Sequence, residues 1–300
     1  MTILTEGRHT AEFLVSEAED NRSRETVTVA SGQDLDAGAV LGKLTKRQAA
    51  AAIPTNAGTG SGAMTALTFG PDVQVGSYVI ALTETSATAA FTVTAPDGTS
   101  LPNGAVGTAY TSSHLSFSIA DGGTMTAGDT YTVAVTASQA PAIVGTGTGV
   151  MSGITLGKHA QRGAYRVQLL ATSATAEFEV IAPDGSKLKR GQVATAYTSD
   201  HVNFTVANAG TMTAGDYYIL IVANGTEEVE AWDPTAVDGT QDAYGILYAA
   251  VDASSAATAG VAIVRNAQIN SDELTWATTV TGGQKPTAIN QLAAAGIIAR

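Results

Sequence analysis

The sequence predicts a mostly β protein, in which a small α+β domain is interrupted by two tandem antiparallel β-sandwich modules of immunoglobulin-like size. Three observations lead to this prediction. Residues 58–135 and 145–222 are gapless copies of one segment at a constant offset of 87 positions. Apolar residues recur at every second position within each copy, as in strands with one buried face. Only 14% of the 300 residues are charged, and glycine-containing turns separate the apolar stretches.

The alternating positions predict five or six strands in each copy. Equivalent apolar residues run from Met64 and Met151 near the start of each copy to Val135 and Val222 at its end. The predicted turns between the strands are Pro-Asp-Gly at 96–98 and 183–185 and Ala-Gly-Asp at 127–129 and 214–216. A module of this size buries only about 60% of its unfolded surface, so we expect its strands to pair with a neighbour.

The domain boundaries follow from the repeat and from Gly- and Ala-rich linkers around Pro54 and Pro141. The short exit after copy 2 indicates that the modules are inserted into a surface hairpin of the flanking domain. The predicted parts are an N-terminal arm at 1–28, a discontinuous core domain at 29–47 plus 224–300, and modules at 58–136 and 145–223.

The flanking segments predict the remaining elements. Residues 37–45 and 227–234 read as two strands of a hairpin, and further strands are expected within 238–276. Pro286 opens a short helix that Gly296 ends, because proline suits the first helical turn and glycine the position after the last.

Composition excludes several classes of function. With 15 basic and 27 acidic residues the formal charge is −12, which argues against a nucleic-acid partner. The absence of cysteine excludes disulfides and thiolate metal sites. The N-terminus lacks the pattern of a signal peptide, and no apolar run is long enough to span a bilayer, so synthesis in a cytoplasm without export and no membrane partner are expected.

The outer segments resemble the lambda-type head decoration (capsid cement) proteins of tailed bacteriophages. The likeness rests on the order and spacing of several short pieces. They are Ala-Val-Leu-Gly-Lys-Leu at 39–44, Ala-Trp-Asp-Pro at 231–234, Asp-Gly-Thr-Gln at 238–241, Tyr-Gly-Ile-Leu at 244–247, Val-Ala-Ile-Val-Arg at 261–265 and the tail 289–300. The double insert between Thr45 and Glu227 and a longer N-terminal arm depart from the simplest members.

The resemblance implies a structural virion protein without catalysis or cofactor. It implies a homotrimer at three-fold positions of the expanded capsid, on the outer surface of the virion, made in the host bacterial cytoplasm. Its partner would be the major capsid protein, which it would cement against the pressure of packaged DNA. The arm would make the shell contact through its apolar residues, which are Ile3, Leu4, Phe13, Leu14 and Val15.

A second function is a binding role for the modules. β-Sandwiches displayed outward would engage host-surface or environmental glycans. The equivalent residues Tyr110 and Tyr197, inside Thr-Ala-Tyr-Thr-Ser, are the best candidates for a repeated recognition spot, and the same pattern also fits strand residues. Trp232 and Trp276 are expected in the core or at the trimer contact.

Other motifs favour structural interpretations. His114 and His201 lack neighbouring ligands, so we expect no metal site there. The aspartates of the four turns fit turn chemistry better than calcium binding. The Gly-Thr-Gly segments at 58–60 and 145–147 resemble a phosphate cradle, but no helix pattern or lysine follows, so a linker is predicted.

Overall fold

The structure, a computed structural model, describes residues 8–54, 56–60, 62–120, 125–137, 140–207 and 212–300. The mostly β class is confirmed, with 45% of the residues in strands and 6% in helix. The chain divides into an outer unit, formed by residues as far as Thr45 and by Gly225–Arg300, and an inserted unit, Lys46–Asn224.

The elements follow one another along the chain in three groups. The first part of the outer unit holds β1 (Leu14–Glu17), β2 (Arg24–Val29), β3 (Gln33–Leu35) and β4 (Val40–Lys43). The inserted unit begins with β5 (Lys46–Ala51) and β6 (Asn56–Ala57), followed in copy 1 by β7 (Met64–Phe69), β8 (Gly76–Leu82), β9 (Ala90–Thr94), β10 (Ser100–Ala105), β11 (Tyr110–Thr111), β12 (Leu115–Ile119) and β13 (Thr130–Ala137). Next come β14 (Ile143–Val144), β15 (Met151–Leu156), β16 (Gly163–Leu169), β17 (Glu177–Ile181), β18 (Gly191–Gln192), β19 (Val202–Val206) and β20 (Tyr217–Asn224). The outer unit ends with β21 (Val229–Ala231), β22 (Ala243–Leu247), β23 (Val251–Ala253), β24 (Thr258–Ile263), β25 (Ala267–Ile269), α1 (Lys285–Ala294) and β26 (Ile297–Ala299), with 3₁₀ turns at Glu19–Asn21 and Ser271–Glu273.

The outer unit is built around a closed barrel of strands in the order β2-β21-β4-β22-β24. Its apolar interior includes Val29, Leu41 and Leu247, each fully buried. Because β4 precedes the insert and β21 follows it, the barrel closes only when the two distant parts of the chain pair, and Ala231 lies opposite Leu41 in that pair. The hairpin expected from 37–45 and 227–234 is therefore formed.

A second layer of the outer unit consists of a three-stranded sheet, β1-β25-β26, and the helix α1. The helix starts one residue before Pro286 and buries Ala288 and Leu292. These residues share one core with Phe13 and Trp232. The second layer thus fixes the N-terminal segment to the C-terminal end of the chain.

The core of the outer unit begins earlier in the sequence than the predicted boundary at residue 29. Strand β2 pairs with β24 from Arg24 to Val29, and β1 pairs with β25 from Leu14 to Glu17. Ser23 between them is fully buried and donates a hydrogen bond to the Asn266 carbonyl at 2.8 Å. Much of the predicted arm is therefore part of the folded outer unit, because its alternating apolar residues find partners in distant strands.

In the inserted unit, both copies contribute to one sheet. The order of its main path is β10-β9-β8-β13-β5-β20-β16-β17-β18, and two short strands, β6 and β14, pair with β13 and β20. Strand β5, which lies before the repeats in sequence, is antiparallel to the last strand of copy 1 and also to the last strand of copy 2. The expected pairing of module strands with a neighbour therefore occurs through a strand that neither copy contains.

The two copies place their cores on opposite faces of this sheet. On β20, Leu220 and Val222 belong to the core of copy 2, whereas Ile221 and Ala223 belong to the core of copy 1. Since alternate residues of a strand point to opposite faces, β20 separates the two cores. Ala49 of β5 lies opposite Ile221 and joins the same core of copy 1.

Each copy covers its own side of the sheet with a small second sheet. In copy 1 it has the order β11-β12-β7, and in copy 2 it is the pair β15-β19. Equivalent aromatic pairs lie in the two cores. Tyr110 stacks on Phe117 at 4.8 Å between ring centroids, and Tyr197 stacks on Phe204 at 4.9 Å. Both copies are therefore β sandwiches, joined along the larger of their two sheets.

Candidate functional site

The N-terminal sheet of the outer unit exposes two apolar side chains, with a glutamine on the strand between them. Val15 of β1 is 59% exposed and Ile298 of β26 is 42% exposed. Gln268 of the middle strand pairs with Ile298 and lies opposite Ser16, beside Val15. Leu14 faces the other way and packs on the core with Phe13 and Trp232. We call the surface formed by Val15, Gln268 and Ile298 the N-terminal face.

Strand β1 also has an open edge. It is the end strand of its sheet, with β25 as its partner among the described residues. An end strand offers backbone N–H and C=O groups to an incoming strand, and Val15 stands beside those groups. The N-terminal face can therefore bind a partner both by strand addition and by apolar contact.

Phe13 anchors this edge to the core. Its side chain is 1% exposed, and its carbonyl accepts a hydrogen bond from the Asn270 backbone N–H at 2.8 Å. Two residues earlier, the Ala11 N–H donates to the Tyr248 carbonyl at 2.9 Å. Phe13 is therefore not available as a surface contact in this structure, which corrects its assignment as a contact residue. Ile3 and Leu4 lie outside the described residues.

An ion pair holds the far end of β1. The guanidinium of Arg24 donates to both carboxylate oxygens of Glu17, at 2.9 and 2.5 Å, and lies 4.1 Å from the centre of the Tyr248 ring. The hydrogen bond from Arg24 lowers the pKa of Glu17 below its ordinary value. A paired geometry of this kind is more favourable than an ordinary surface ion pair, so β1 is fixed at both ends.

The two tryptophans lie in the outer unit, in edge-to-face contact at 5.9 Å between centroids. Trp232 is 1% exposed, and its indole N–H donates to the Gln241 carbonyl at 2.8 Å. Trp276 packs at the margin of the same core, with the Lys285 ammonium 5.4 Å from its ring centre. Of the two expected locations, Trp232 occupies the core, while Trp276 is partly accessible.

The structure does not support Tyr110 and Tyr197 as exposed recognition residues. Their side chains are 5% and 3% exposed and stack inside the two sandwich cores. The Thr-Ala-Tyr-Thr-Ser sequence around each tyrosine was consistent with either a surface spot or a strand residue. The alternation that buries Phe117 and Phe204 also buries the tyrosines paired with them.

The Gly-Thr-Gly segments are carboxylate cradles and not simple linkers, although the anion comes from the protein itself. In copy 1, Asp129 accepts hydrogen bonds from the backbone N–H groups of Thr59 at 3.2 Å and Gly60 at 2.6 Å. In copy 2, Asp216 accepts from Thr146 at 3.3 Å and Gly147 at 2.7 Å. Consecutive N–H groups that converge on an anion form a nest. The predicted linker therefore binds an anion as a phosphate cradle does, but the anion is an aspartate of the same copy.

The cradle affects the acidity of its carboxylate. Burial raises the pKa of Asp129, but hydrogen bonds from Gly60, Thr59 and Asn56 outweigh it, so the pKa lies below the ordinary 3.8. Glycine is required at Gly58 and Gly145 because a Cβ there would overlap the carboxylate of Asp129 or Asp216. These aspartates are consequently structural groups that fasten the start of each copy to its last strand.

The histidines of the repeat belong to a second shared network. The Gln74 backbone N–H donates to the Tyr78 hydroxyl at 2.8 Å, and the hydroxyl lies 3.1 Å from His114 Nδ1. The equivalent distances for Tyr165 and His201 in copy 2 are 2.8 and 3.1 Å. Burial raises the pKa of Tyr78 to about 12, so its hydroxyl stays protonated near neutral pH.

The described residues contain neither a metal-binding cluster nor a membrane-spanning helix. No group of three or more His, Asp or Glu side chains in that part of the chain is placed to hold a metal ion. Among the described segments, no helix has the length and apolar character needed to cross a membrane.

An apolar cavity of about 240 Å³ lies where the copies meet in the inserted unit. Ile53, Leu67, Phe69, Ile143 and Ile219 are among its lining residues. Ligand sites combine such apolar walls with a few convergent polar groups, and here the lining side chains are all apolar. We interpret the cavity as a packing gap between the copies.

A closed barrel and an insert of fused β sandwiches define a β-rich protein, and no cluster of metal-binding side chains is present among the described residues. Comparison with protein families narrows this class. The chain matches the family model of the bacteriophage lambda head decoration protein D over residues 3–99 and 130–297. Because these segments cover most of the chain, the protein belongs to the phage head decoration family, a family of structural capsid proteins and not of enzymes.

The family match confirms the resemblance inferred from the outer segments. Membership gives the protein a structural, capsid-binding role and a location on the capsid of the virion. Searches of curated proteins and of solved structures find no match to this chain.

Proposed function

We propose that the protein binds as a homotrimer at three-fold positions of the expanded phage capsid and cements neighbouring major capsid proteins against the pressure of packaged DNA. It would be made in the cytoplasm of the host bacterium and added to the outer surface of the head. Membership of the decoration family supports this proposal. The observation that carries it is the N-terminal face, where an open strand edge and exposed apolar side chains lie together.

In this proposal, the N-terminal face and the segment that precedes it together form the surface that contacts the capsid. Val15 contributes apolar area beside the open edge of β1, and Ile3 and Leu4 extend the contact along the chain. Phe13 and Leu14 support the contact indirectly, because their packing in the core fixes the position of β1. Three copies of a weak contact in one trimer bind with high effective concentration, so no single contact has to be strong.

Head binding is tested with the substitution Val15→Ser in the full chain. We expect weaker binding to expanded heads that lack the protein, measured by co-sedimentation. The matched control is Val261→Ser, since Val261 is 37% exposed on barrel strand β24 and lies outside the N-terminal face. Equal binding by both variants and the unchanged protein would remove Val15 from the contact.

The role of the preceding segment is tested by deleting residues 1–7. A longer deletion to Ser23 would also remove Phe13, and both of these residues are buried. The shorter deletion keeps every described residue of the outer unit, and we expect it to reduce head binding. Sedimentation velocity of the purified protein tests the trimer separately, since the chain mass is 30.3 kDa and a monomeric species at working concentration would contradict the proposal.

We propose a second role for the inserted unit, which is binding of host-surface or environmental glycans. The support no longer comes from Tyr110 and Tyr197, which are buried. It comes from the basic residues of copy 2, described next, because they have no counterpart in copy 1. This role does not replace capsid binding, as the two would use different units of the chain.

A further inference from the structure

The two copies differ sharply in charge although they share a fold. Copy 1, residues 58–135, contains no lysine or arginine, and copy 2, residues 145–222, contains six. The six are Lys158, Arg162, Arg166, Lys187, Lys189 and Arg190. Each copy contains five acidic residues, but three of those in copy 2, Glu177, Glu179 and Asp200, have no acidic counterpart in copy 1. They pair with Arg190, Lys187 and Lys158, so three of the six cations are matched by new carboxylates. In a chain with a formal charge of −12, copy 2 is a local exception.

Half of these cations lie in one short segment, and two of them line a cavity. Lys187, Lys189 and Arg190 fall within four residues before β18, and the last two line a polar cavity of about 310 Å³. Gln192, Thr195 and the ring of Tyr197 line it as well. The cavity therefore lies at the free end of the shared sheet, on the side of copy 2.

The corresponding positions of copy 1 have different chemistry. At the offset of 87, Lys189 corresponds to Pro102, Arg190 to Asn103, and Gln192 to Ala105. The backbone pairing along this edge is equivalent in the two copies. Lys187 lies opposite Ile181 as Ser100 lies opposite Thr94, and the Leu188 N–H donates to the Val180 carbonyl at 2.8 Å. The cationic residues therefore change the chemistry of the sheet edge and not its course.

The charges of the cavity are only partly compensated. Glu177 lies 3.3 Å from the guanidinium of Arg190, and Lys187 pairs with Glu179 at 2.9 Å. Lys189 instead lies over the Tyr197 ring, 5.5 Å from its centre, and within the described residues it has no carboxylate within ion-pair distance. One cation is therefore available to an anionic group of a ligand.

The mixture of groups indicates the class of ligand. Lys189 and Arg190 favour a carboxylate, Gln192 and Thr195 offer hydrogen bonds to hydroxyl groups, and Glu177 accepts hydrogen bonds from such hydroxyls. The Glu177 carboxylate would repel a dense polyanion such as polyphosphate. A cavity of about 310 Å³ is at the lower end of the range for small ligands and fits a sugar unit.

We propose that this cavity binds a carboxylate-bearing sugar of an acidic polysaccharide. The proposal rests on the second proposed role and makes it specific, because it assigns glycan binding to copy 2 and to an acidic sugar. The pairing of the sugar carboxylate with Lys189 would be weakened by salt, since the site is exposed to solvent. Copy 1 would not bind the same ligand.

The test uses the full chain and three probes, which are an oligogalacturonate, dextran of similar length and polyphosphate. Binding is measured by titration calorimetry at low salt and by affinity electrophoresis. The test variant is Lys189→Gln with Arg190→Asn, which brings the site close to copy 1. The matched control is Lys158→Gln, since Lys158 is an exposed cation of the same copy, paired with Asp200 at 3.7 Å and outside the cavity.

The unchanged protein should bind the oligogalacturonate and not dextran, and the double variant should lose about tenfold or more in affinity while Lys158→Gln does not. Three results would overturn the proposal: no binding of the oligogalacturonate, equal binding by the double variant, or polyphosphate bound as tightly as the oligogalacturonate. Head binding by the double variant is measured in parallel. It should be unchanged, so failure of the sugar site and failure of capsid binding are distinguishable.

Discussion

The two copies of the repeat share their internal hydrogen bonds almost without difference. The carboxylate of Asp129 lies 2.6 Å from the Gly60 N–H nitrogen, and that of Asp216 lies 2.7 Å from that of Gly147. The Tyr78–His114 contact and its counterpart in copy 2 are both 3.1 Å long. Groups that stay alike in both copies are those that each sandwich needs in order to fold.

The copies differ where they meet their surroundings. On the second face of β13, copy 1 has Thr132, Ala134 and Thr136, and on the second face of β20, copy 2 has Ile219, Ile221 and Ala223. The first strand is exposed there at Ala134, whereas Ile221 is fully buried in the core of copy 1. The last strand of copy 2 therefore completes the core of copy 1. The sequence differences between the two copies on this strand reflect that contact.

The substitution Ile221→Ala should have the largest effect on stability. Truncating a fully buried isoleucine should lower the free energy of unfolding by about 2–5 kcal/mol, because it leaves a cavity between the copies. The equivalent change in copy 1, Ala134→Gly, is the control for strand propensity and should cost about 1 kcal/mol or less. Urea unfolding followed by circular dichroism measures both. Similar losses for the two variants would show that β20 does not seal copy 1.

A second effect concerns the carboxylate cradles. Gly145→Ala and Gly58→Ala should each lower the free energy of unfolding by about 1–3 kcal/mol, because the new methyl group displaces the aspartate carboxylate. Gly282→Ala is the control, since nothing lies within 4 Å of an added Cβ there and its φ is not positive. The same urea titrations apply. Loss in only one copy would mean that the cradles are not equivalent.

The tyrosine networks should respond less strongly. Tyr78→Phe and Tyr165→Phe each remove a hydroxyl that accepts from a backbone N–H and reaches a histidine, at a cost of about 1 kcal/mol. Because the two networks have the same geometry, we expect equal shifts of the thermal midpoint for the two variants. A difference of several degrees between them would show that one copy depends on this network more than the other.

The smallest expected effect is a dependence on acid. Hydrogen bonds from Gln74 and Thr99 lower the pKa of Asp97 to about 2, and those from Ser186 and Gln161 do the same for Asp184. Since both folded pKa values lie below the ordinary 3.8, their contribution is complete above that pH and is lost as the pH falls toward 2. Thermal midpoints measured between pH 5 and 2 should decline less steeply for Asp97→Asn and Asp184→Asn. An unchanged slope would contradict the assignment.

Local features of the fold could be predicted from the sequence because they depend on neighbouring residues. Alternation identified the buried faces of both copies, and Pro286 located the helix. The continuous apolar run at 217–223 also predicts a strand that is buried on both faces, which the alternating pattern does not show. A strand that is apolar on both faces is buried on both faces, and copy 1 lacks such a run.

The missed features depend on contacts between distant parts of the chain. Nothing near Lys46–Ala51 in sequence reveals that this strand pairs with two strands, 84 or more residues away. The burial of Phe13 likewise required knowledge that β1 pairs with β25. The proposed sugar site of copy 2 does not depend on Tyr197, which both copies share, but on Lys189 and Arg190, which only copy 2 has.

Strand β5 has an evolutionary consequence. A duplication adds a second sandwich to a gene in one step. Once β5 is paired with a strand of each copy, however, deleting either copy would leave one edge of β5 unpaired. The deletion would also expose Ile221 or its partners to water. Shortened descendants would tend to aggregate through that edge. The duplication is therefore easier to gain than to reverse, whether or not the second copy binds a ligand.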